Sequence, residues 1–600
     1  MREAGIHRQW RVRPLELHLQ QQVQPLAQRL GVHAIVSQLL LGRGLVNSAV
    51  CDRFLTPRLT DLHDPARITG ICRAAERLNR AVHAGERIAI YGDYDVDGVT
   101  GSAVLWHILR HVGASVDTYV PHRVDEGYGL NCQAIAKLCT DHDLIVTVDC
   151  GITAGKPARV AKDLDTDLII TDHHAFELDT LPEAYALVHP QLPPEYNSLT
   201  EASDIGCDSY PFPDLCGAGV AYKLAWQFAR IHGGSKRVGP QTRRLLLDLL
   251  SLVALGTVAD VVPLVDENRV LTMFGLGRIK QSGLVGLDAL INAAGLVDEA
   301  IDAYHVGFVL GPRLNACGRM GHAQQAVHLL TDADPDEARE LARFLTSQNE
   351  RRRSTERAIF EEAEQMIEQE HLDRSDRRAI VLGKTGWHPG VVGIVASRLV
   401  ERYARPVILL CYDNGTAQGS ARSVEGLSIH EALVAVASQS HLQRFGGHAM
   451  AAGLSLPTDR VKIFRDALVE FVNCRLGPND LVHCVEIHAA ISPEDCTLAV
   501  FEQIQRLSPF GRGNEQPTLV LRGVSLDAPA RRIGRKGRHL SLQLRGSGVV
   551  MRAVGFGMGE RAKSLPAGVA LDVAFEPKIS TWQGRRRPEL HLVDIKEATY

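Results

Sequence analysis

Acids and histidines recur in this sequence just after short apolar runs, a placement that could assemble a metal-dependent hydrolytic site. The stretch IAIYGDYDVDGVTG leaves an apolar run and enters a helical one, so Asp93, Asp95 and Asp97 fall on the loop between them, with Gly92 and Gly98 easing the turn. Three alternate carboxylates repel one another, and a divalent cation removes that cost, because hard oxygen ligands suit Mg²⁺ and Mn²⁺. LIVTVDCG delivers Asp149 in the same way, and DLIITDHHAF delivers Asp172, His173 and His174. VALGTVADVVPL sets Asp260 after an apolar helix, in a turn closed by Pro263. Singly, each has a structural reading: an Asp after a strand caps a helix or forms a turn, and paired histidines are common on surfaces and in satisfied cores. Four such arrivals at element ends point instead to one shared site.

Convergence of those groups requires parallel strands. Apolar runs at IAIY, VDTYV, LIVTV, DLIIT and ALVH alternate with helical stretches, the pattern of parallel strands joined by helical crossovers. In an open parallel sheet the crevice beyond the carboxyl ends of the strands is the usual ligand site. The sequence therefore predicts an α/β protein with a Rossmann-like domain over residues 81–330, preceded by a cap of short amphipathic helices over 1–80. DADPDEARELARFLTSQNERRRSTERAIFEEAEQMIEQEH has no Gly and a single Pro near its start, which predicts a long connecting helix within 331–374. A second α/β unit is expected over 375–478. Short alternating stretches such as LVLRGVSL, HLSLQLRG, VALDVAF and ELHLVDI predict a small OB-like β-barrel over 479–600. The segment VHPQLPPEYNSLTEASDIGCDSYPFPDLCG reads as a surface insertion.

Six hundred residues exceed what one hydrophobic core can serve, so several domains are expected. With 45% hydrophobic and 23% charged residues the composition is that of a globular protein, without extended disorder. No apolar stretch could cross a bilayer, and MREAGIHRQWRVRP lacks the apolar block of an export signal, so no membrane association and a cytoplasmic location are expected. The twelve cysteines never stand at CxxC spacing and read as reduced core residues. A net charge of −4 argues against indiscriminate nucleic-acid binding, but a groove needs only a local field. Basic runs exist at Arg351, Arg352 and Arg353, at Arg531, Arg532, Arg535, Lys536 and Arg538, and at Arg585, Arg586 and Arg587.

The segments GDYDVDG, VDCG, TDHH and GTVADVVPL resemble, in order, the four motifs of the DHH phosphoesterases. PHRVDEGYGLN, GPRLNACGRMG and FGGHAMAAG are similar to its RecJ branch of single-stranded-DNA exonucleases, and the resemblance covers nearly the whole chain. It implies a DHH domain, a DHHA1 domain and an OB-like domain. It also implies a catalytic set of Asp93, Asp95, Asp97, Asp149, His173, His174 and Asp260 around two divalent cations, Mn²⁺ or Mg²⁺. In that set Asp149 bridges the ions; Asp97, His173 and Asp260 complete one ligand set and Asp95 serves the other, with Asp93 nearby. His174 stands behind the ligands or faces substrate. One departure from the pattern is Tyr91, where several smaller relatives carry a histidine four residues before Asp95. Two cations ~3.5–4 Å apart suit in-line displacement at a phosphodiester without a serine or cysteine nucleophile.

For substrate, the resemblance suggests Arg123, Arg313 and Arg319 from the first lobe, whose planar forks match phosphate oxygens. From the second it suggests Ser420, Arg422 and Ser423, together with Gly446, Gly447 and His448 of the glycine-rich stretch. His388 stands beside Pro389 and Gly390 at a helix start whose amides could face an anion. With 5% aromatic residues, stacking platforms should be few; Tyr128 and Phe510 are candidates. The implied activity is 5′ to 3′ degradation of single-stranded DNA to 5′-mononucleotides in recombination and repair. A monomer acting beside single-strand-binding protein and a helicase is the implied company. Two other readings meet part of the pattern: a DHH enzyme for short oligonucleotides, cyclic dinucleotides or pyrophosphate, which needs only two lobes, and a scaffold that has lost its metals, which the intact acids oppose.

Overall fold

The computed structural model describes residues 8–122, 126, 129–197, 209–320, 322–565, 568 and 570–598. The chain divides into two compact units, one formed by Val12–Thr346 with Glu486–Tyr600 and the other by Met1–Arg11 with Ser347–Val485. Their boundary falls inside the single helix Pro335–Gln369, which has Pro335 at its first position, where a missing amide costs nothing.

In the first unit the strands run in the order Ser115–Tyr119, Arg87–Gly92, Leu144–Val148, Asp167–Thr171, Ala186–Val188, all parallel. The chain passes from Arg87–Gly92 to one neighbour and later returns to the other side at Leu144–Val148, so the strand order reverses between these two. The strands bury both faces, as continuous apolar runs require. One face packs Ile88, Ile90, Val146 and Ile169 against the helices Ile71–Ala84, Val96–His111, Gly217–His232 and Pro240–Ala259. The other packs Ala89, Tyr91, Ile145 and Ile170 against Cys132–Asp141 and Gly155–Asp163.

The expected helical cap over 1–80 is not one body. Helices Val23–Leu30, Ala34–Gly42 and Ser48–Leu55 share a core with the C-terminal strands, where Val36, Leu39 and Leu40 meet Phe501, Leu521 and Phe575. Helix Ile71–Ala84 belongs instead to the core of the parallel sheet. Each helix exposes one apolar stripe, and the sequence cannot say which distant surface covers it. Two arginines fasten this arrangement, one of them buried. Arg269 stacks on Phe54 at 3.9 Å and donates to the carbonyls of Phe54, Leu507 and Arg506, while Arg43 donates to Asn514 Oδ1 and to the Glu515 carbonyl.

The C-terminal strands form a seven-stranded sheet, in which Ser525 and Leu526 also pair with Arg545 and Leu544 and so curl the sheet back on itself. In the second unit, strands Ile380–Thr385 and Val407–Asp413 are parallel, and Thr416–Arg422, Ala451–Pro457 and Arg444–Gly447 continue the sheet antiparallel. Helices Pro389–Tyr403, Ile429–Ser440 and Val461–Arg475 cover it.

The expected surface insertion is corrected in part. Residues 198–208 lie outside the described residues, but Tyr210, Phe212 and Leu215 are buried in the core of the parallel-sheet domain. The Tyr210 hydroxyl donates to Glu267, a carboxylate that also receives the buried Lys223 ammonium. Of the described cysteines none is in a disulfide; most are buried or half-buried, but Cys474 and Cys484 are exposed.

Candidate metal centre

The predicted acids of the parallel-sheet domain converge where the strand order reverses: Asp93, Asp149 and Asp172 follow strands, Asp95 and Asp97 open a helix, and Asp260 ends one. Asp95 is the N-cap of helix Val96–His111, and its Oδ1 accepts from the amides of Asp97 at 2.9 Å and Gly98 at 3.1 Å. Asp97, buried in the first turn, accepts from the amides of Gly217 at 2.5 Å and Ala218 at 2.9 Å, the first residues of another helix. A helix N-terminus favours a negative charge there. Asp149 follows its strand with φ +64°, a left-handed conformation unusual for a side chain with a Cβ and one that marks stored backbone strain. A Cβ on Gly217 would lie 2.5 Å from the Asp149 Cβ, and one on Gly256 would lie 2.6 Å from Asp97 Oδ1, so both glycines are required by close packing around the carboxylates.

The structure gathers Asp97, His173 and Asp260 into one group of donors, Asp93, Asp95 and Asp149 into a second, and Asp149, His173 and His174 into a third, each with its ligand atoms within 4.8 Å. His173 Nε2 lies 3.0 Å from Asp149 Oδ1, 3.7 Å from Asp260 Oδ2 and 3.8 Å from Asp97 Oδ2. Neither His173 Nε2 nor Asp149 Oδ1, both buried, has a hydrogen-bond partner. Buried donor atoms that face one another without hydrogen bonding, in a mixed carboxylate and imidazole set, fit divalent cations of the Mn²⁺ or Mg²⁺ type.

Electrostatics agree. Burial, followed by the charge of Asp97, raises the Asp149 carboxyl well above the usual range and raises Asp95 as well; the same causes lift Asp260 to about 8. Burial lowers the His173 imidazole, which keeps it neutral as a ligand must be.

Asp172 is arranged differently. Its Oδ1 accepts from the amides of His173 and His174 and lies 2.7 Å from His174 Nδ1, while Oδ2 accepts from the Ile152 amide at 2.9 Å. With both oxygens engaged, Asp172 orients the two histidines. Burial opposes charge on both members of this pair, yet their hydrogen bond and mutual attraction prevail, taking His174 up to about 9 and Asp172 down to about 2. Tyr91 is buried and its hydroxyl donates to the Gly129 carbonyl at 3.0 Å. It joins the core on the far face of the sheet and replaces no ligand.

Sequence reasoning missed the amides of Gly217 and Ala218 and the Asn315 side chain, whose Oδ1 accepts from the Val96 amide at 3.2 Å. CGAG at 216–219 was the available signal, a small-residue helix start.

The predicted substrate residues divide between the two units. Arg123 and Tyr128 lie outside the described residues. Arg313 and Arg319 stand on helix Gly311–Met320, and Arg313 donates to the Val309 carbonyl at 2.6 Å. In the other unit, Ser420 and Arg422 lie against Gly393 of helix Pro389–Tyr403, whose N-cap is His388. His388 Nδ1 accepts from the Gly390 amide at 3.1 Å, so that nitrogen serves the helix. Ser423 is buried, and its hydroxyl donates to the Leu427 carbonyl at 2.8 Å, which reduces its capacity to meet a ligand. Gly446, Gly447 and His448 are exposed at the sheet edge, where Gly447 has φ +143° and a Cβ would meet the Ala451 carbonyl oxygen at 2.4 Å. Trp387 is buried core and its indole donates to Glu362.

A parallel sheet whose switch point gathers carboxylates and imidazoles into adjoining cation sites is that of a metal-dependent phosphoesterase of the DHH type. Family models agree: the DHH family N-terminal domain matches residues 87–257, the DHHA1 domain 376–473 and the RecJ OB domain 487–594. The single-stranded-DNA-specific exonuclease RecJ of Bacillus subtilis is 38% identical over 96% of this chain and 69% of its own length. That of Haemophilus influenzae is 33% identical over 96% of this chain and 98% of its own length. Among solved structures, RecJ in complex with Mn²⁺ from Thermus thermophilus superposes with a TM-score of 0.80 at 32% identity, covering 100% of this chain and 81% of that one. The chain belongs to the RecJ family.

Proposed function

We propose that this protein is a single-stranded-DNA-specific exonuclease, a hydrolase that shortens a strand from its 5′ end to release 5′-mononucleotides, using Mn²⁺ or Mg²⁺. The observation that carries the reading is the convergence of Asp93, Asp95, Asp97, Asp149, His173 and Asp260 on adjoining cation sites at one sheet edge. Bound there, two divalent cations supply charge stabilisation for in-line attack of water on a phosphodiester. Asp97, His173 and Asp260 would hold one cation and Asp95 the other, with Asp93 close by, and Asp149, which shares donor groups with both His173 and Asp95, would serve both. The amides of Gly217 and Ala218 fix the Asp97 carboxylate in orientation. Asp172 holds the His174 ring through its Nδ1, and that ring stands behind the ligands or meets the diester.

Arg123, Arg313 and Arg319, with Ser420, Arg422 and His388, are the groups offered to phosphates. Gly446 and Gly447 let the backbone approach the strand, with His448 as a contact. The Ser423 hydroxyl, which donates to the Leu427 carbonyl, serves the turn. Among the described residues no helix is long and apolar enough to cross a membrane. The setting proposed is a cytoplasmic monomer in recombination and repair, working beside single-strand-binding protein and a helicase.

The decisive measurement is Mn²⁺-dependent release of 5′-mononucleotides from labelled single-stranded DNA, with Asp149→Asn as control, since Asn tolerates the left-handed backbone at that position. Release by the wild type alone supports the reading. No release, equal activity of the variant, or turnover confined to dinucleotides defeats it.

A further inference from the structure

Three strands of the parallel sheet release an acid into the crevice: Asp93, Asp149 and Asp172 follow Arg87–Gly92, Leu144–Val148 and Asp167–Thr171. The edge strand beside them, Ala186–Val188, releases a histidine instead, His189, at the end of the ALVH run. Thr171 pairs with Val188, and the Asp172 amide donates to the Val188 carbonyl at 3.2 Å. His189 therefore stands level with the turn that carries His173 and His174, and its side chain is fully buried.

Both ring nitrogens of His189 are engaged. Nδ1 accepts from the Gln191 amide at 3.0 Å, which leaves the proton on Nε2, and Nε2 donates to the His174 carbonyl at 3.0 Å. Phe176 meets the ring edge to face, with centroids 4.8 Å apart and 80° between the planes. The backbone of His189 pairs with Thr69, whose hydroxyl donates to the Leu192 carbonyl at 2.8 Å, so the residue is fixed from several sides.

The contact complements that of Asp172. Asp172 Oδ1 engages the amides of His173 and His174, and His189 engages the carbonyl of His174. A turn held through both its amides and its carbonyl fixes the direction in which His173 presents Nε2 to Asp97, Asp149 and Asp260. Packing alone does not account for an imidazole here: a buried polar ring is costly unless its hydrogen bonds are used, and an apolar side chain fills the space without that cost.

We infer that His189 is a positioning residue of the metal centre, which holds the His174 carbonyl and so sets the His173–His174 turn in the orientation that binds Mn²⁺ or Mg²⁺. It acts through that turn and not through contact with DNA. Groups that orient metal ligands in this way are worth ~10- to 100-fold in metal affinity or activity. This rests on the two-cation reading of the site.

The test uses the full chain. Mn²⁺ binding is measured directly from the electron paramagnetic resonance signal of the free ion, and kcat and KM on labelled single-stranded DNA at saturating Mn²⁺. H189F keeps an aromatic ring without a donor, H189A removes the ring, and H189Q returns an N–H near the place of Nε2; thermal melting verifies that each is folded. Expected is ~10- to 100-fold weaker Mn²⁺ binding by H189F and H189A, with KM for DNA within about twofold, and recovery in H189Q to within about threefold of wild type. Unchanged Mn²⁺ affinity in folded H189F and H189A overturns the inference, whatever happens to KM. H189Q that folds yet falls short of that recovery also overturns it and assigns the residue to packing, and this arm stands if the other two variants unfold. Wild type that binds no Mn²⁺ overturns the two-cation reading itself.

Discussion

The two α/β sheets of this chain use similar parts to different ends. In the first, all strands are parallel and their carboxyl ends share one edge, so the loops after Gly92, Val148 and Thr171 deliver Asp93, Asp149 and His173 to one place. In the second, only Ile380–Thr385 and Val407–Asp413 are parallel, and the antiparallel strands beyond them carry Ser420, Arg422 and Gly447 along the sheet and out to its edge. Strand direction accounts for the contrast. Parallel strands concentrate charge at a single crevice, where carboxylates are buried at a cost that cations offset. A mixed sheet spreads its polar groups over a surface, where arginine and glycine suit an extended polyanion.

Five substitutions would break or sharpen that comparison. The largest effect is expected from Asp149→Asn, about a thousandfold in kcat/KM on single-stranded DNA, or ~4 kcal/mol of transition-state stabilisation. Preserved activity would mean that the crevice is not the reaction centre. Asp172→Asn should lower kcat and Mn²⁺ affinity ~10- to 100-fold, as loss of a ligand-orienting carboxylate does; titration with Mn²⁺ alone separates this from a contact with DNA.

In the second sheet, Arg422→Ala should raise KM ~10-fold with kcat unchanged, as removal of a charge-assisted phosphate contact does. Its neighbour Ser423→Ala should leave KM within about twofold and cost ~1 kcal/mol of stability, because its hydroxyl is already spent on Leu427. A reversed pattern would show the second sheet to be read wrongly.

The smallest effect concerns His107, whose Nε2 lies 2.8 Å from the Leu330 carbonyl and whose pKa burial lowers from 6.5. The unfolded chain binds the proton more readily, so this contribution to stability is intact above pH 6.5 and is lost as pH falls below it. Denaturant melts of H107Q should therefore show a shallower loss of stability with acid than wild type. An equal slope would assign the acid sensitivity elsewhere.

The metal centre was unusually legible in the sequence because its parts are local: each acid follows an apolar run, and the period of the runs announces parallel strands. The helix Pro335–Gln369 was legible for a similar reason, having no Gly to stop it. The stretch around residues 209–216 was not. Its proline and polar neighbours read as loop, yet Tyr210, Phe212 and Leu215 are core and lead directly into the helix start that holds Asp97. Among the phosphate candidates, Ser423 was indistinguishable from Ser420 in sequence, since only the turn at Leu427 consumes its hydroxyl.

The sequence alone determined which elements form and which ends carry charge, for both follow from periodicity and composition over a few residues. Tertiary structure alone decided which surfaces cover the N-terminal helices, which amides brace Asp97 and why Tyr210 and Phe212 are core. Those outcomes depend on packing between segments hundreds of residues apart, and no local pattern encodes the identity of a distant partner.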